Sequence, residues 1–406
     1  MLINEKTWNF IRQHADEDVR KLALQGTKDA DVDLQMALQQ IAGRQTARRK
    51  LPSWAAVDGI TYPPHLNMEQ CSSEQTAQYK AKIAGDGERM VDLTGGFGID
   101  FYWMSQGFQY RYYIEQNEQL CAISSHNFEV LGLDCTVNCC NAVSYLTTMP
   151  HVDLIYIDPA RRNEHGGRTY GIADCTPNVL ELLPLLMEKA DCVLLKLSPM
   201  LDWRKAVSDI QYPSPNTHHL SPIVSQVHIV SVDNECKELL LLLDKEGTED
   251  LRVVCVNFTK DGEQLFEVSE RNGLSLGEKR RLAIGETAFL YEPNASIMKA
   301  GCFEEVEQRF PVQQISQNSH LFLSSDEIDG FPGRRFQVLS ISSMNKQELR
   351  TALKDIERAN ISVRNFPMSV DLLRKKLKLK DGGDVYIFAT TGANGEHLLF
   401  ICRKIG

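Results

Sequence analysis

One stretch of the chain carries four short polar turns, each closing an apolar run. They are Val91-Asp92-Leu93-Thr94-Gly95-Gly96-Phe97-Gly98, Ile114-Glu115, Cys140-Asn141-Ala142 and Ile157-Asp158-Pro159-Ala160-Arg161-Arg162. Glycines where a strand passes into a helix let backbone N–H groups approach a ligand, and the helix N-terminus favours a polar or anionic group. Asp92 either caps that helix or positions a ligand. Glu115 stands 23 residues beyond Asp92, where a carboxylate at a strand tip can accept both hydroxyls of an adenosine ribose. Asn141 offers an amide for the amino edge of adenine, or simply a turn residue. Asp158 and the Pro159 carbonyl can accept hydrogen bonds from a substrate amino group and help to remove its proton. Arg161 and Arg162 suit a phosphate or carboxylate, or a surface ion pair. Lys196, with Ser198, ends a later apolar run and is a further candidate substrate contact.

Other chemistries lose ground on the same residues. A dinucleotide fingerprint would need a third glycine at position 101, which is Phe101, and no Gly-Lys-Ser/Thr phosphate loop occurs. No His, Cys and carboxylate cluster has metal-ligand spacing, so no metal is expected.

The elements that must hold these turns are legible as strand-like runs alternating with helical stretches between Arg89 and about Asp244. The strands are expected at Met90–Thr94, Tyr110–Ile114, Cys135–Asn138, Val152–Ile157, Cys192–Leu197, Val227–Val232 and Leu239–Leu243. Continuous apolar runs are what buried parallel strands require. The spacing predicts a doubly wound α/β sheet, in which ligands bind outside the carboxyl ends of the strands, where all four turns fall. Before it, residues 1–70 read as a helical extension, and Ser72 with Gln75 has the spacing of a helix capping box. The α/β domain is expected at 71–260 and a connecting subdomain at 261–330, with a helix expected around Ile297–Phe310. Residues 331–406 read as a compact α+β domain. Its helix at Gln347–Ala359 opens on Asn345 and Glu348, and Asn394-Gly395 marks a hairpin.

Taken together the four turns resemble the class I S-adenosylmethionine-dependent methyltransferases. Asp92, Thr94, Gly96 and Gly98 match the first motif with Thr in place of its first glycine; Glu115 matches the ribose-binding acid, and Asn141 stands where Asp is commoner. Asp158-Pro159 resembles the fourth motif of enzymes that methylate exocyclic amino groups, but Ala160 and Arg161 replace its second proline and its aromatic residue. That aromatic would stack on a flipped base; Arg161 could stack by its guanidinium plane or grip a phosphate. The resemblance implies S-adenosylmethionine as cofactor, Asp92, Thr94, Gly96, Gly98, Glu115 and Asn141 as its contacts, and Asp158 with Pro159 as the catalytic pair. No cysteine occupies the fourth-motif position of pyrimidine-C5 enzymes. Glu69-Gln70-Cys71-Ser72-Ser73-Glu74, Tyr291-Glu292-Pro293-Asn294, Lys299-Ala300-Gly301 and Arg364-Asn365-Phe366-Pro367 are similar to a bacterial methyltransferase family with a THUMP-like C-terminal domain. That resemblance implies an RNA substrate, tRNA or rRNA, and a Rossmann-like domain followed by a ferredoxin-like, THUMP-like α+β domain.

Composition agrees with a globular protein of several domains. The 406 residues are 43% hydrophobic and 24% charged, enough for more than one core. A formal charge of −10 counts against a protein that coats nucleic acid non-specifically, without excluding local basic patches such as Arg374, Lys375, Lys376, Lys378 and Lys380. The polar stretch Met1–Phe10 and the lack of any apolar run near the ~20 residues of a membrane span lead us to expect a cytoplasmic protein. Eleven cysteines without a Cys-x-x-Cys pair fit a reducing compartment. Two rivals share the sequence: an adaptor that keeps the cofactor fold without catalysis, and a methyltransferase for a small metabolite or a protein.

Overall fold

The computed structural model describes residues 3–161, 171–211, 223–245, 250–269 and 287–405. The chain divides into two compact units, Met1–Ser225 with Leu240–Glu249, and Gln226–Leu239 with Asp250–Gly406.

The first unit begins with six helices: α1 (Glu5–Gln13), α2 (Val19–Gln25), α3 (Leu34–Lys50), α4 (Pro52–Ala55), α5 (His65–Gln70) and α6 (Glu74–Ala84). Ala37 and Ile41 of α3 bury against Ile11 and Leu22. The cap of α6 is Ser73, whose hydroxyl accepts from the Thr76 N–H; the expected cap, Ser72, instead turns its hydroxyl to Asp100. The sheet then follows, with β1 (Gly87–Asp92), β2 (Phe108–Glu115), β3 (Thr136–Cys139) and β4 (Val152–Ile157). A two-residue pair, β5 (Ala160–Arg161) and β6 (Cys175–Thr176), precedes β7 (Ala190–Leu197). Helices α7 (Ile99–Met104), α8 (Glu118–Val130), α9 (Ala142–Thr148), α10 (Val179–Lys189) and α11 (Trp203–Gln211) intervene. The parallel order is β7-β4-β1-β2-β3. The chain runs outward from β1 to β3 and then returns to β4 on the other flank of β1. That reversal leaves a crevice at the carboxyl ends of β1 and β4, the usual ligand position of an open α/β sheet. Burial on both faces explains why Val91 and the run Leu154–Ile157 are continuously apolar.

Strands β8 (Ile223–Val232) and β9 (Glu235–Asp244) are divided between the units. We expected crossover helices throughout this stretch. Instead Asp233 and Asn234, at φ 48° and 63°, make a two-residue turn between β8 and β9, a conformation that Asn and Asp tolerate well. In the second unit β10 (Arg252–Thr259) runs parallel to β8 and antiparallel to β11 (Gly262–Ser269).

The rest of the second unit is built on β12 (Phe289–Pro293), β13 (Gln313–Gln314), β14 (Phe322–Ser324), β15 (Gly333–Ser343), β16 (Asn360–Arg364), β17 (Val385–Thr391) and β18 (His397–Ile405), in the order β13-β14-β12-β15-β18-β17-β16. The single helix expected at 297–310 is two, α12 (Ala295–Ala300) and α13 (Phe303–Arg309), because Gly301 takes φ 73° and closes the first. Helix α14 (Lys346–Ala352) stops short of Ala359, and α15 (Val370–Leu377) connects the parallel strands β16 and β17. One face of this sheet buries Leu290, Phe336, Phe388 and Phe400; the other packs Leu373 against Ile387, Leu399 and Ile401.

Candidate active site

The glycine turn after β1 is shaped by three different demands. A Cβ on Gly95 would lie 2.1 Å from the Tyr113 ring, and one on Gly98 2.6 Å from the Phe128 ring, so close packing excludes side chains at both. Gly96 and Gly98 also take φ 57° and 83°, which glycine alone adopts freely. Gly96 differs from its neighbours: a Cβ there would meet nothing nearer than the Thr94 carbonyl at 3.8 Å. It opens toward space that a ligand can enter. Phe101, where a dinucleotide site would have glycine, is fully buried 5.5 Å from the Tyr113 ring and 5.3 Å from that of Phe128.

Glu115 is brought against this turn by the β1–β2 pairing. Its carboxylate accepts the Gly96 N–H and the Asn117 N–H, each at 2.8 Å, one on either oxygen. Each oxygen keeps a lone pair, so the group is fixed in place and can still accept from two hydroxyls. Asn141 caps α9, accepting from Val143 and Ser144, while its amide nitrogen donates to Gln116 at 3.3 Å. The cap places it at the carboxyl end of β3, next to the residue that follows Glu115.

Thr94 explains its own departure from glycine. Its backbone N–H donates to Asp92 at 2.8 Å, and its hydroxyl accepts the Asp158 N–H at 2.7 Å, joining the tips of β1 and β4 across the strand reversal. Asp92 is wholly buried; burial, and then the charges of Asp100, Asp158 and Glu115, push its carboxyl well above the ordinary range, against the pull of the Thr94 amide. Asp158 makes an ion pair with Lys196, whose side chain is only 13% exposed against 36% for Asp158. Burial raises the Asp158 carboxyl, while Lys196 opposes the rise. Pro159 is buried. Arg161 lies in β5, with its backbone paired to Cys175. Arg162 and His165 lie outside the described residues.

A second charged group beneath this pair was not anticipated. Lys80 is fully buried with its ammonium 3.2 Å from Asp100 and 3.1 Å from the Ser72 hydroxyl. Both the Ser72 and Tyr156 hydroxyls donate to Asp100 at 2.8 Å. Burial pushes Asp100 up, but Lys80 and Lys196 together hold it below the ordinary carboxylate range. The sequence signal was present in Ser72, read as a cap, but not in Lys80, which stands among the polar residues of α6. Beside the glycine turn, Trp54 packs edge-on 5.3 Å from the Phe97 ring.

In the Tyr291–Asn294 segment the Tyr291 hydroxyl accepts the Ile328 N–H at 2.7 Å, and Asn294 caps α12. Lys375, Lys376 and Lys378 are exposed at the end of α15, where cations suit the helix dipole. Among the described residues no group of three or more His, Cys, Asp or Glu side chains could hold a metal ion, and no helix is long and apolar enough to cross a membrane.

An adenosyl cofactor fits this donor set. Gly96 supplies an open turn, Glu115 two positioned acceptors, and Asp158 a carboxylate held at the mouth of the same crevice.

Residues 333–404 match a family described as THUMP domain-like, and residues 289–332 a ferredoxin-like domain family. No curated protein matches the sequence. Among solved structures, the crystal structure of a "putative methyltransferase" from Porphyromonas gingivalis W83 is 30% identical, covers 100% of both chains and superposes with a TM-score of 0.84. Looser likenesses include M. capricolum TrmK with S-adenosyl-homocysteine, 14% identical over 42% of this chain and 68% of that one, TM-score 0.32. A Listeria monocytogenes class I methyltransferase-fold protein is 9% identical over 62% and 93%, TM-score 0.39. The chain belongs to the family of the Porphyromonas protein, class I S-adenosylmethionine-dependent methyltransferases with a THUMP-like C-terminal domain.

Proposed function

Starting from that family, we propose that the enzyme methylates an exocyclic amino group of an RNA base, in tRNA or rRNA, and works in the cytoplasm. The observation that carries the reading is the Thr94–Asp158 hydrogen bond of 2.7 Å, which fixes Asp158-Pro159 beside the glycine turn. S-adenosylmethionine, when bound, supplies a methyl group already activated by its sulfonium. The protein's work is therefore alignment more than activation. Glu115 would take the ribose hydroxyls, Asp92, Thr94, Gly96 and Gly98 would shape the cofactor's seat, and Asn141 would face its adenine. Asp158 and the Pro159 carbonyl would accept hydrogen bonds from the substrate NH2, turn its lone pair toward the crevice and draw off a proton as the nitrogen becomes positive. Lys196 orients the Asp158 carboxylate through their ion pair and favours its ionised form against the upward push of burial. Arg161 and Arg162, directly after this motif, would hold a substrate phosphate. The working division is a helical region at 1–70, the methyltransferase domain at 71–260, a connecting subdomain at 261–330 and the THUMP-like domain at 331–406, the last helping to hold RNA.

The test is transfer of labelled methyl from S-adenosylmethionine to total RNA, followed by nucleoside mass spectrometry, with wild type beside Asp158→Asn. An N-methylated base formed by wild type and lost in the variant, with cofactor binding retained, supports the reading. Label appearing in protein or small metabolites, and not in RNA, overturns it.

A further inference from the structure

In the second unit, Glu292 of β12 is buried and its two oxygens are claimed by two arginines. Arg334, directly opposite on β15, donates through Nε at 2.7 Å and through Nη2 to one oxygen; Arg364, at the end of β16, donates to the other at 2.9 Å. Strands β12 and β16 are separated by β15, β18 and β17. In a flat sheet four steps of ~4.8 Å would hold them ~19 Å apart, so this sheet must curl to bring Arg364 to Glu292.

The curl leaves a surplus of donors and of charge. Two guanidiniums face one carboxylate, a net charge of +1, since arginine does not deprotonate. Among the described residues neither arginine has another acidic partner, and their side chains remain 38% and 37% exposed. The Nε of Arg364 is buried with no acceptor, as are Nδ1 of His320 and the hydroxyl of Thr390. Thr390 is the register partner of Arg364 on β17, so the two side chains share a face. Burial, and then the Arg364 charge, push the His320 imidazole below its ordinary range. Buried donors left without acceptors in a folded protein point to a missing ion or water. Arg334 is further steadied over the Phe336 ring at 5.7 Å.

We propose that Arg334 and Arg364, held in register by Glu292, form a binding site for one phosphate group, with Thr390 as a supporting donor. A phosphodiester carries the single negative charge that balances the trio, and its oxygens match the guanidinium fork. The site stands on its own residues; that its phosphate comes from an RNA backbone rests on the RNA reading above.

The experiment uses the full chain, wild type, Arg334→Gln and Arg364→Gln, with two probes. One is inorganic phosphate by calorimetry at low chloride concentration; the other is a single-stranded RNA oligonucleotide by fluorescence anisotropy across a salt series. Both variants should bind phosphate about tenfold or more weakly. For RNA, losing one phosphate contact should make the slope of log affinity against log salt shallower by about 0.7. Weaker phosphate binding with an unchanged RNA slope keeps the site but assigns it to free phosphate. Wild type that binds neither probe, or variants that bind both as wild type does, overturns the proposal. Failure of both variants to fold also overturns it, because the trio would then be a structural clasp. RNA binding by wild type that neither substitution changes, with phosphate binding equally unchanged, leaves the RNA reading standing and removes only this site.

Discussion

Replacing Lys80 by Met tests the buried charge network under the active site. Lys80 is fully buried beside Asp100, so removing its ammonium leaves the Asp100 carboxylate with the Ser72 and Tyr156 hydroxyls and, farther off, Lys196. Breaking one side of a buried pair costs about 3–5 kcal/mol, because the remaining charge is uncompensated. Lys80→Met should lose that much at pH 7 in urea denaturation followed by tryptophan fluorescence, with the transition of the first unit taken separately. Asp100→Asn should cost a similar amount, and the double variant much less than the sum, the mark of direct coupling. The pH dependence has a definite sign. In wild type Asp100 is held below its ordinary range, so its contribution is present above an unfolded value of ~3.9 and is lost as pH falls through the folded value. In Lys80→Met, burial dominates and the folded value rises above the unfolded one. The contribution is then intact at low pH and lost as pH rises, so the cost of the substitution should shrink toward pH 4. A cost below about 1 kcal/mol at pH 7, or one that grows on acidification, would refute the reasoning.

Two further substitutions address the cofactor seat. Glu115→Ala should weaken S-adenosylmethionine and S-adenosyl-homocysteine alike by about tenfold or more in calorimetry, since both share the ribose whose hydroxyls the carboxylate would accept; unchanged affinity would remove Glu115 from the site. Thr94→Val keeps the shape but strips the acceptor from the Asp158 N–H. It should cost about 1–3 kcal/mol of stability and slow methyl transfer more than it weakens cofactor binding, which paired measurements of kcat and cofactor Kd would show.

The strand ends were legible in the sequence because they carry types that a buried parallel sheet would otherwise exclude. Asp92, Glu115 and Asp158 each follow an apolar run, and the structure gathers all three around one crevice. Less legible were contacts made between elements far apart in the chain. Lys80 reads as one more charge on a polar helix until α6 turns it inward to Asp100. Glu292 sits in a motif that looks like a strand end, and only the curl of the sheet delivers Arg364 from 72 positions away. Backbone reversals at the Asp233-Asn234 turn and at Gly301 were missed for a local reason. Apolar residues flank Gly301 directly, and the polar run 233–238 reads as a connection of any kind; periodicity alone does not register a two-residue turn or a one-residue left-handed cap.

The charge balance of the crevice leads to a last prediction. Asp92, Asp100, Asp158 and Glu115 act on one another electrostatically, while the cations among them are Lys80 and Lys196. Burial resolves part of the excess by favouring the protonated form of Asp92. A cation placed against the Gly96 turn would lower that carboxyl again, because a nearby positive charge favours the ionised form. S-adenosylmethionine carries a sulfonium and S-adenosyl-homocysteine does not, although the two match elsewhere. Binding of the first should therefore release a fraction of a proton, up to about one per site, in the pH window between the free and bound values of Asp92, and binding of the second should release less. Calorimetric titration in buffers of different ionisation enthalpy measures the difference directly, and Asp92→Asn should abolish it. Equal proton release by the two ligands, or release that survives Asp92→Asn, would mean that the carboxylates do not sense the sulfonium charge, and the crevice would then have to hold the cofactor by shape and hydrogen bonding alone.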